Sequence, residues 1–419
     1  MIIKNVKVFT EGKKFVAGAV ATEGDKIIKV WLEERAGEAQ ATGNTQVTGN
    51  SQATGNTQAT GNTQVTGNTQ VTGNADEVID GKGCYLLPGM IDLHFHGCKG
   101  YDVCDGTQEA LEKIAQYEAS VGVTAISPAT MTLPAEQLEQ ILENAAQFRD
   151  RQDSLQVGGA DLVGINMEGP FISKAKKGAQ DEKNIIPMDV DICKRFLKAS
   201  HGLVKFMGIA PEQGDAKPFI EGVKDEVTVS LAHTNADYDT AKAAFEEGAS
   251  HVVHLYNAMP PFTHRAPGVV GAAAESSHVM AELICDGVHI HPSVVRATFK
   301  MFGSERIILI SDSMRAAGME DGRYTLGGLD VEVKGNRAVL VSDGALAGSV
   351  TTLPDCVRVA VKQMDIPLED AIACATINPA KSLGIDDQYG SISEGKKANL
   401  LLWDSGLDLK LVIKDGRIL

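Results

Sequence analysis

Eight short apolar runs alternate with helix-like segments through the middle of this 419-residue sequence, and strand patterning marks both of its ends. Together these predict an α/β fold: a (β/α)8 TIM-type barrel with a small β-sandwich domain built from both chain termini. The expected division is residues 1–87 with 386–419 for the β-domain and 88–385 for the barrel.

The β-unit opens with IIKNVKVFT, then FVAGAVATEGDKIIKVW, which turns at Glu23-Gly24-Asp25. A hexapeptide repeat follows, with six copies from Ala39 to Asn74. After the first copy each repeat holds a single Val or Ala and no charge. So little apolar surface cannot offset the entropy of ordering the chain. Residues 37–75 are therefore expected to form a flexible surface insertion, and strand patterning resumes after it at EVIDGKGCYLLPG.

The apolar runs are MIDLHFHG (90–97), VTAISPATM (123–131), DLVGINMEGP (161–170), LVKFMGIAPE (203–212), VTVSLAHTN (227–235), HVVHLYNAM (251–259), VMAELICDG (279–287) and RIILISDSM (306–314). Between them lie helical patterns such as GTQEALEKIAQYEASVG and PAEQLEQILENAAQFRD. Strands alternating with helices imply a parallel sheet, and eight units imply a closed one. A β-like stretch, YTLGGLDVEVKGNRAVLV, then two helices near 352–364 and 367–377 lead to the C-terminal strands.

The net charge of -16 disfavours nucleic acid and anionic membranes as partners. No apolar stretch reaches membrane-spanning length. Seven cysteines, odd in number and without a Cys-x-x-Cys, read as reduced thiols in a cytoplasm.

Polar residues gather at the ends of the runs. His94 and His96 are two apart, so on a strand both side chains take one face. A His-x-His alone carries little weight. Glu168, His233, His254 and Asp312, however, close other runs at equivalent heights. Buried acids and histidines in an apolar barrel are costly unless they share a counter-charge such as a divalent ion. The pattern points to a metal site, zinc first, with Fe, Co, Mn or Ni as alternatives. Asp312 is placed to exchange a proton with a metal-activated water, as a ligand, or both.

HFHG after LLPGMIDL, MEGPF at 167–171, LAHTNAD at 231–237 and HLYNAMPPFTHRAPG at 254–268 resemble the N-acetylglucosamine-6-phosphate deacetylase family of the amidohydrolase superfamily. AGSVTTLPDCV (347–357) and GSISEGKKANLLLWD fit the same pattern. The resemblance implies that Glu168, His233 and His254 hold a principal metal and that His94 and His96 complete a second. It implies Asp312 as catalytic acid and base, and His289 as a histidine contacting the substrate. Asn257, Ala258 and Arg265 would hold a sugar phosphate, and Leu346, Ala347 and Gly348 would form a loop against the substrate. Ala179 and Gln180 fall where the family places a substrate-reaching histidine; Gln180 is a departure. The implied reaction is hydrolysis of the acetamide of N-acetyl-D-glucosamine 6-phosphate, in a cytoplasmic homodimer with one or two ions per subunit. The alternatives are another amidohydrolase, such as a nucleobase deaminase or cyclic amidase, and a non-enzymatic binding protein that displays the repeat.

Overall fold

The computed structural model describes residues 1–33, 77–152 and 159–419. The insertion expected at 37–75 lies outside the described residues. Eight parallel strands follow one another in chain order. They are β1 Met90–Asp92, β2 Val123–Ile126 (continued by Ala129–Thr130), β3 Ile165–Phe171, β4 Val204–Ile209, β5 Thr228–Leu231, β6 His251–Val252, β7 Met280–Ile284 and β8 Ile307–Ile310. Each pairs with the next in parallel. Beyond the ends of β8 and β1, Asp312 N donates to His94 O at 3.0 Å and His96 N to Ser313 O at 2.7 Å. These bonds bring the last strand back to the first, and the curled sheet fits a TIM-type barrel.

One helix separates each pair of consecutive strands: Gln108–Val121, Ala135–Gln152, Val190–Ala199, Ala216–Val223, Tyr238–Glu247, Gly268–Glu275 and Pro292–Phe302. Several start on side-chain caps. Thr107 accepts from Ala110 N, Asp189 from Ile192 N and Asp237 from Thr240 N. The strands are apolar on both faces because helices cover one and the barrel interior the other. Their period-two alternation is visible in the core. Leu283, Ile307 and Leu309 pack in the large cluster beneath the helices, while Ile284, Ile308 and Ile310 join Ile91 and Phe206 in a second cluster.

The two chain ends meet in one eight-stranded sheet. Its order is 417–418, 409–414, 400–403, 85–88, 2–9, 15–23 and 26–32, with Val78–Asp80 pairing on Ile2–Phe9. The sequence suggested a sandwich; the strand pairing runs as one continuous sheet. The reason is the parallel register Lys7↔Tyr85 and Val8↔Leu86, which joins the N-terminal hairpins to the C-terminal one across a single ladder. The far edge then curls back, where Ile27 N donates to Lys396 O at 2.9 Å. Ile3, Val8, Val20, Leu86 and Leu400 fill one face, while Leu87, Leu401 and Trp403 pack into the main cluster. The β-like stretch after β8 is a three-stranded antiparallel meander of Gly322–Leu326, Leu329–Lys334 and Arg337–Leu340.

The described strands on both sides of the repeat pair with one another within the same sheet. Deleting residues 39–74 is expected to change the unfolding free energy by no more than about 2 kcal/mol, since loop length enters closure entropy only logarithmically. Urea denaturation of the deleted chain checks this; loss of a cooperative transition would contradict it.

Candidate metal centre

Glu168, near the end of β3, is the hub of the site. Its Oε1 lies 2.7 Å from His233 Nε2 and 2.8 Å from His254 Nε2, and those two nitrogens are 3.2 Å apart. Its Oε2 lies 2.9 Å from Gln180 Nε2 and 3.4 Å from His96 Nε2. Asp312 Oδ1 sits 3.4 Å from His96 Nε2 and 3.7 Å from His94 Nε2. Two groups of ligand-type atoms result, His94 with His96 and Glu168, and Glu168 with His233 and His254, each within 4.8 Å.

The outer nitrogens of three rings are tied to acceptors. His94 Nδ1 meets Glu282 Oε2 at 2.8 Å, His96 Nδ1 meets Ala129 O at 3.1 Å and His233 Nδ1 meets Lys176 O at 2.8 Å. Carbonyls and carboxylates only accept, so each Nδ1 carries a hydrogen; each Nε2 then donates to the carboxylates when its ring is charged and turns a lone pair inward when the ring is neutral, the form that ligates a cation. Lone pairs facing carboxylates repel unless a positive charge sits among them. His94 Nε2 is buried and has no hydrogen-bond partner. Nitrogen and carboxylate donors on three or more strands suit a divalent first-row cation, so the residues present fit the metal that the sequence implied.

The electrostatics agree. Burial opposes a charge on His94, but the charge and hydrogen bond of Glu282, backed by Glu168 and Asp312, push its pKa up to about 10. Burial would likewise raise Glu168, yet the charge and hydrogen bonds of His233 and His254 hold it well below the ordinary carboxylate range. Each group favours positive charge in the space between them.

The backbone bends to aim these side chains. His233, His254 and Asp312 have φ of 44°, 30° and 49°, in the left-handed region. Such conformations cost on the order of 1–3 kcal/mol each and persist where the surroundings over-determine them. Two glycines permit close approach. A Cβ on Gly178 would lie 3.2 Å from His233 Cε1, and one on Gly348 would lie 3.0 Å from Asp312 O.

The remaining predicted residues fall around this centre to different degrees. His289 Nδ1 is held by Asp286 Oδ2 at 2.7 Å. Burial opposes its charge, but Asp286, with help from Asp312, raises its pKa. Of Leu346, Ala347 and Gly348, the last lies against Asp312 O, while Ala347 N donates to Ala338 O at 3.1 Å and Leu346 bridges to Val339; Ser349 N donates to Asp312 O at 2.7 Å. Asn257 Nδ2 donates to His254 O at 3.2 Å, and Ala258, at φ 52°, accepts from Thr234 N at 3.1 Å. Ala179 packs beside the cluster of Met131 and Met314. Arg265 stands exposed on the loop closed by Thr263 and Ala266, and makes none of the cluster's contacts. Gln180, expected to face substrate, has both ends of its amide engaged by protein. Its Oε1 accepts from Thr132 N at 2.7 Å and its Nε2 donates to Glu168, with the residue 2% exposed.

Sequence reasoning passed over Glu282, His251, Asn166 and Asp286. The available signal was period two: Glu282 and Asn166 interrupt apolar strands at inward positions, which an unpartnered acid or amide would not occupy.

The sequence pattern of the amidohydrolase family matches residues 85–419. The chain belongs to the amidohydrolase family. Within this family it is 40% identical over 334 residues to the N-acetylglucosamine-6-phosphate deacetylase of Bacillus subtilis (strain 168), covering 80% of this chain and 84% of that protein. It is 35% identical over 334 residues to the N-acetylgalactosamine-6-phosphate deacetylase of Escherichia coli O157:H7, covering 80% of this chain and 87% of that one. Among solved structures, a mutant N-acetyl-D-glucosamine-6-phosphate deacetylase from Mycobacterium smegmatis in complex with N-acetyl-D-glucosamine-6-phosphate superposes with a TM-score of 0.82 at 28% identity. The match covers 100% of this chain and 98% of that chain.

Two outcomes follow from the amide and imidazole contacts. Gln180→Leu leaves Thr132 N without its acceptor and takes the amide donor from Glu168 Oε2, and should destabilise the metal-free protein by about 1–3 kcal/mol in urea. An unchanged midpoint would contradict the contact. Because folding raises the His289 pKa, its pairing with Asp286 stabilises fully below the ordinary histidine value of about 6.5 and fades as pH rises through the folded value. The stability advantage over Asp286→Asn should therefore shrink with rising pH, and histidine NMR should show a lower His289 pKa in the variant.

Proposed function

We propose that the protein is a metal-dependent amide hydrolase acting on N-acetyl-D-glucosamine 6-phosphate, yielding glucosamine 6-phosphate and acetate in amino-sugar catabolism. The observation that carries this reading is the convergence of four imidazoles on Glu168 with Asp312 beside them. The kinship with deacetylases of phosphorylated amino sugars supports the substrate class.

Glu168, His233 and His254 would hold the principal cation, with His94 and His96 completing a second position. Zinc is the first expectation, with iron, cobalt, manganese or nickel as alternatives. Once bound, such a cation lowers the pKa of a water and polarises an acyl oxygen. Burial would raise the Asp312 carboxyl, but the hydrogen bond from His96 and the charges of His94, His96 and His254 hold it below its ordinary value. Asp312 is thus ionised at neutral pH and accepts the attacking water's proton, then returns it to the departing amine nitrogen. His289, fixed through Nδ1 by Asp286, has Nε2 left to donate to a substrate oxygen. Leu346, Ala347, Gly348 and Ala179 line the substrate's side of the site, and Gln180 fixes the Glu168 carboxylate.

Asn257, the Ala258 backbone and Arg265 are assigned to the sugar phosphate. A guanidinium binds phosphate through two parallel bonds, and the local cation offsets a net charge of -16 that would otherwise repel the substrate. The same reading takes residues 88–385 as the hydrolase domain and 1–87 with 386–419 as its companion. It extends to a homodimer, for which the exposed Phe262 beside Arg265 offers an apolar contact. It also extends to a cytoplasmic setting, which suits seven unpaired cysteines, five of them buried. Among the described residues no helix is long and apolar enough to cross a membrane.

Acetate release from N-acetylglucosamine 6-phosphate, its galacto epimer and unphosphorylated N-acetylglucosamine tests the reading. The expected result is metal-dependent release from the phosphorylated gluco substrate, with Asp312→Asn lowering kcat by about 10²–10⁴-fold. No release from any of the three by metal-loaded protein would contradict it.

A further inference from the structure

Glu282 lies inside the barrel, behind the metal-facing atoms, with 0% of its surface exposed. On β7, Ala281 and Leu283 pack with the large cluster beneath the helices, while Met280 and Ile284 belong to the second cluster, with Ile91 and Phe206. Glu282 shares the face of Met280 and Ile284. An acid among these neighbours is costly unless donors meet its lone pairs. Four donors do. Oε2 accepts from His94 Nδ1 at 2.8 Å and from His254 N at 3.0 Å. Oε1 accepts from His251 Nε2 at 2.9 Å and from Asn166 Nδ2 at 3.2 Å.

Two of these donors belong to the metal centre itself and come from different strands. The bond to His94 Nδ1 fixes that ring's orientation and aims its Nε2, which has no hydrogen-bond partner, at Glu168 and Asp312. The bond to His254 N steadies the backbone where φ is 30°. We propose that Glu282 is a positioning residue that acts through His94 and His254, presenting their nitrogens at a fixed separation to the cation, with His251 and Asn166 anchoring its second oxygen. This rests on the reading of His94 and His254 as ligands. A carboxylate is uniquely suited: the amide of an isosteric glutamine would set its NH₂ against a pair of donors on one side or the other.

The test is Zn²⁺ affinity of the full chain by chelator competition, with metal content by elemental analysis. Glu282→Gln should bind Zn²⁺ about 10–100-fold more weakly, the usual effect of losing a partner behind a histidine ligand. In a His94→Gln background the same change should lose the part of its effect that runs through His94 and keep only the part carried by the bond to His254 N, because residues acting as a unit are not additive. If Glu282→Gln does not fold, the His251 pair decides. His251→Leu removes a donor while leaving every metal-facing atom and should weaken binding, whereas His251→Gln keeps a donor and should bind nearly as the parent. Parent-like affinity in Glu282→Gln, or in both His251 variants, while His94→Gln binds weakly, overturns the proposal. Parent-like affinity in His94→Gln as well would show instead that His94 is no ligand, and the proposal would fall with that reading.

Discussion

The structure turns on one electrostatic constraint: two buried carboxylates, Glu168 and Asp312, face a ring of imidazole nitrogens whose outer hydrogens are already committed. His94, His96 and His233 donate their Nδ1 hydrogens to Glu282, Ala129 O and Lys176 O, so in the neutral rings their inner faces carry lone pairs. An apolar barrel cannot hold that arrangement without positive charge. The fold answers in two ways. It strains three strand ends into the left-handed region to bring the groups together, and it gathers them in two sets that could hold a divalent cation.

The barrel makes this possible because its strands end at a common mouth. Period-two alternation sends every second side chain inward; on β3 those positions hold Asn166 and Glu168 towards the mouth, while on β7 Glu282 lies deeper, one inward position below Ile284. Below them the interior is sealed by packed aliphatics. The transition from sealed to polar along single strands holds the reacting groups on rigid elements.

Much of this was legible in the sequence. The eight strands coincide with the runs read from apolar patterning, β3 passing its run by one residue at Phe171, and His94, His96, Glu168, His233, His254 and Asp312 stand out together because each lies towards the end of a run. The small sheet's continuity was not legible, since it depends on the Lys7↔Tyr85 register between segments separated by the repeat. The contacts of Gln180 were not legible for a related reason. Its amide is fixed by Thr132 and Glu168, contacts that no local pattern encodes. Glu282 was hidden by its neighbours, because a lone acid in VMAELI reads as an ordinary strand until its four donors arrive from three other strands.

The most direct test of the central claim is anomalous diffraction from crystals grown with Zn²⁺. The account predicts a zinc peak bounded by Glu168 Oε1 and the Nε2 atoms of His233 and His254. Zinc bound elsewhere with that space holding only water, or the three side chains bonded to one another beside a zinc-free centre, would contradict it.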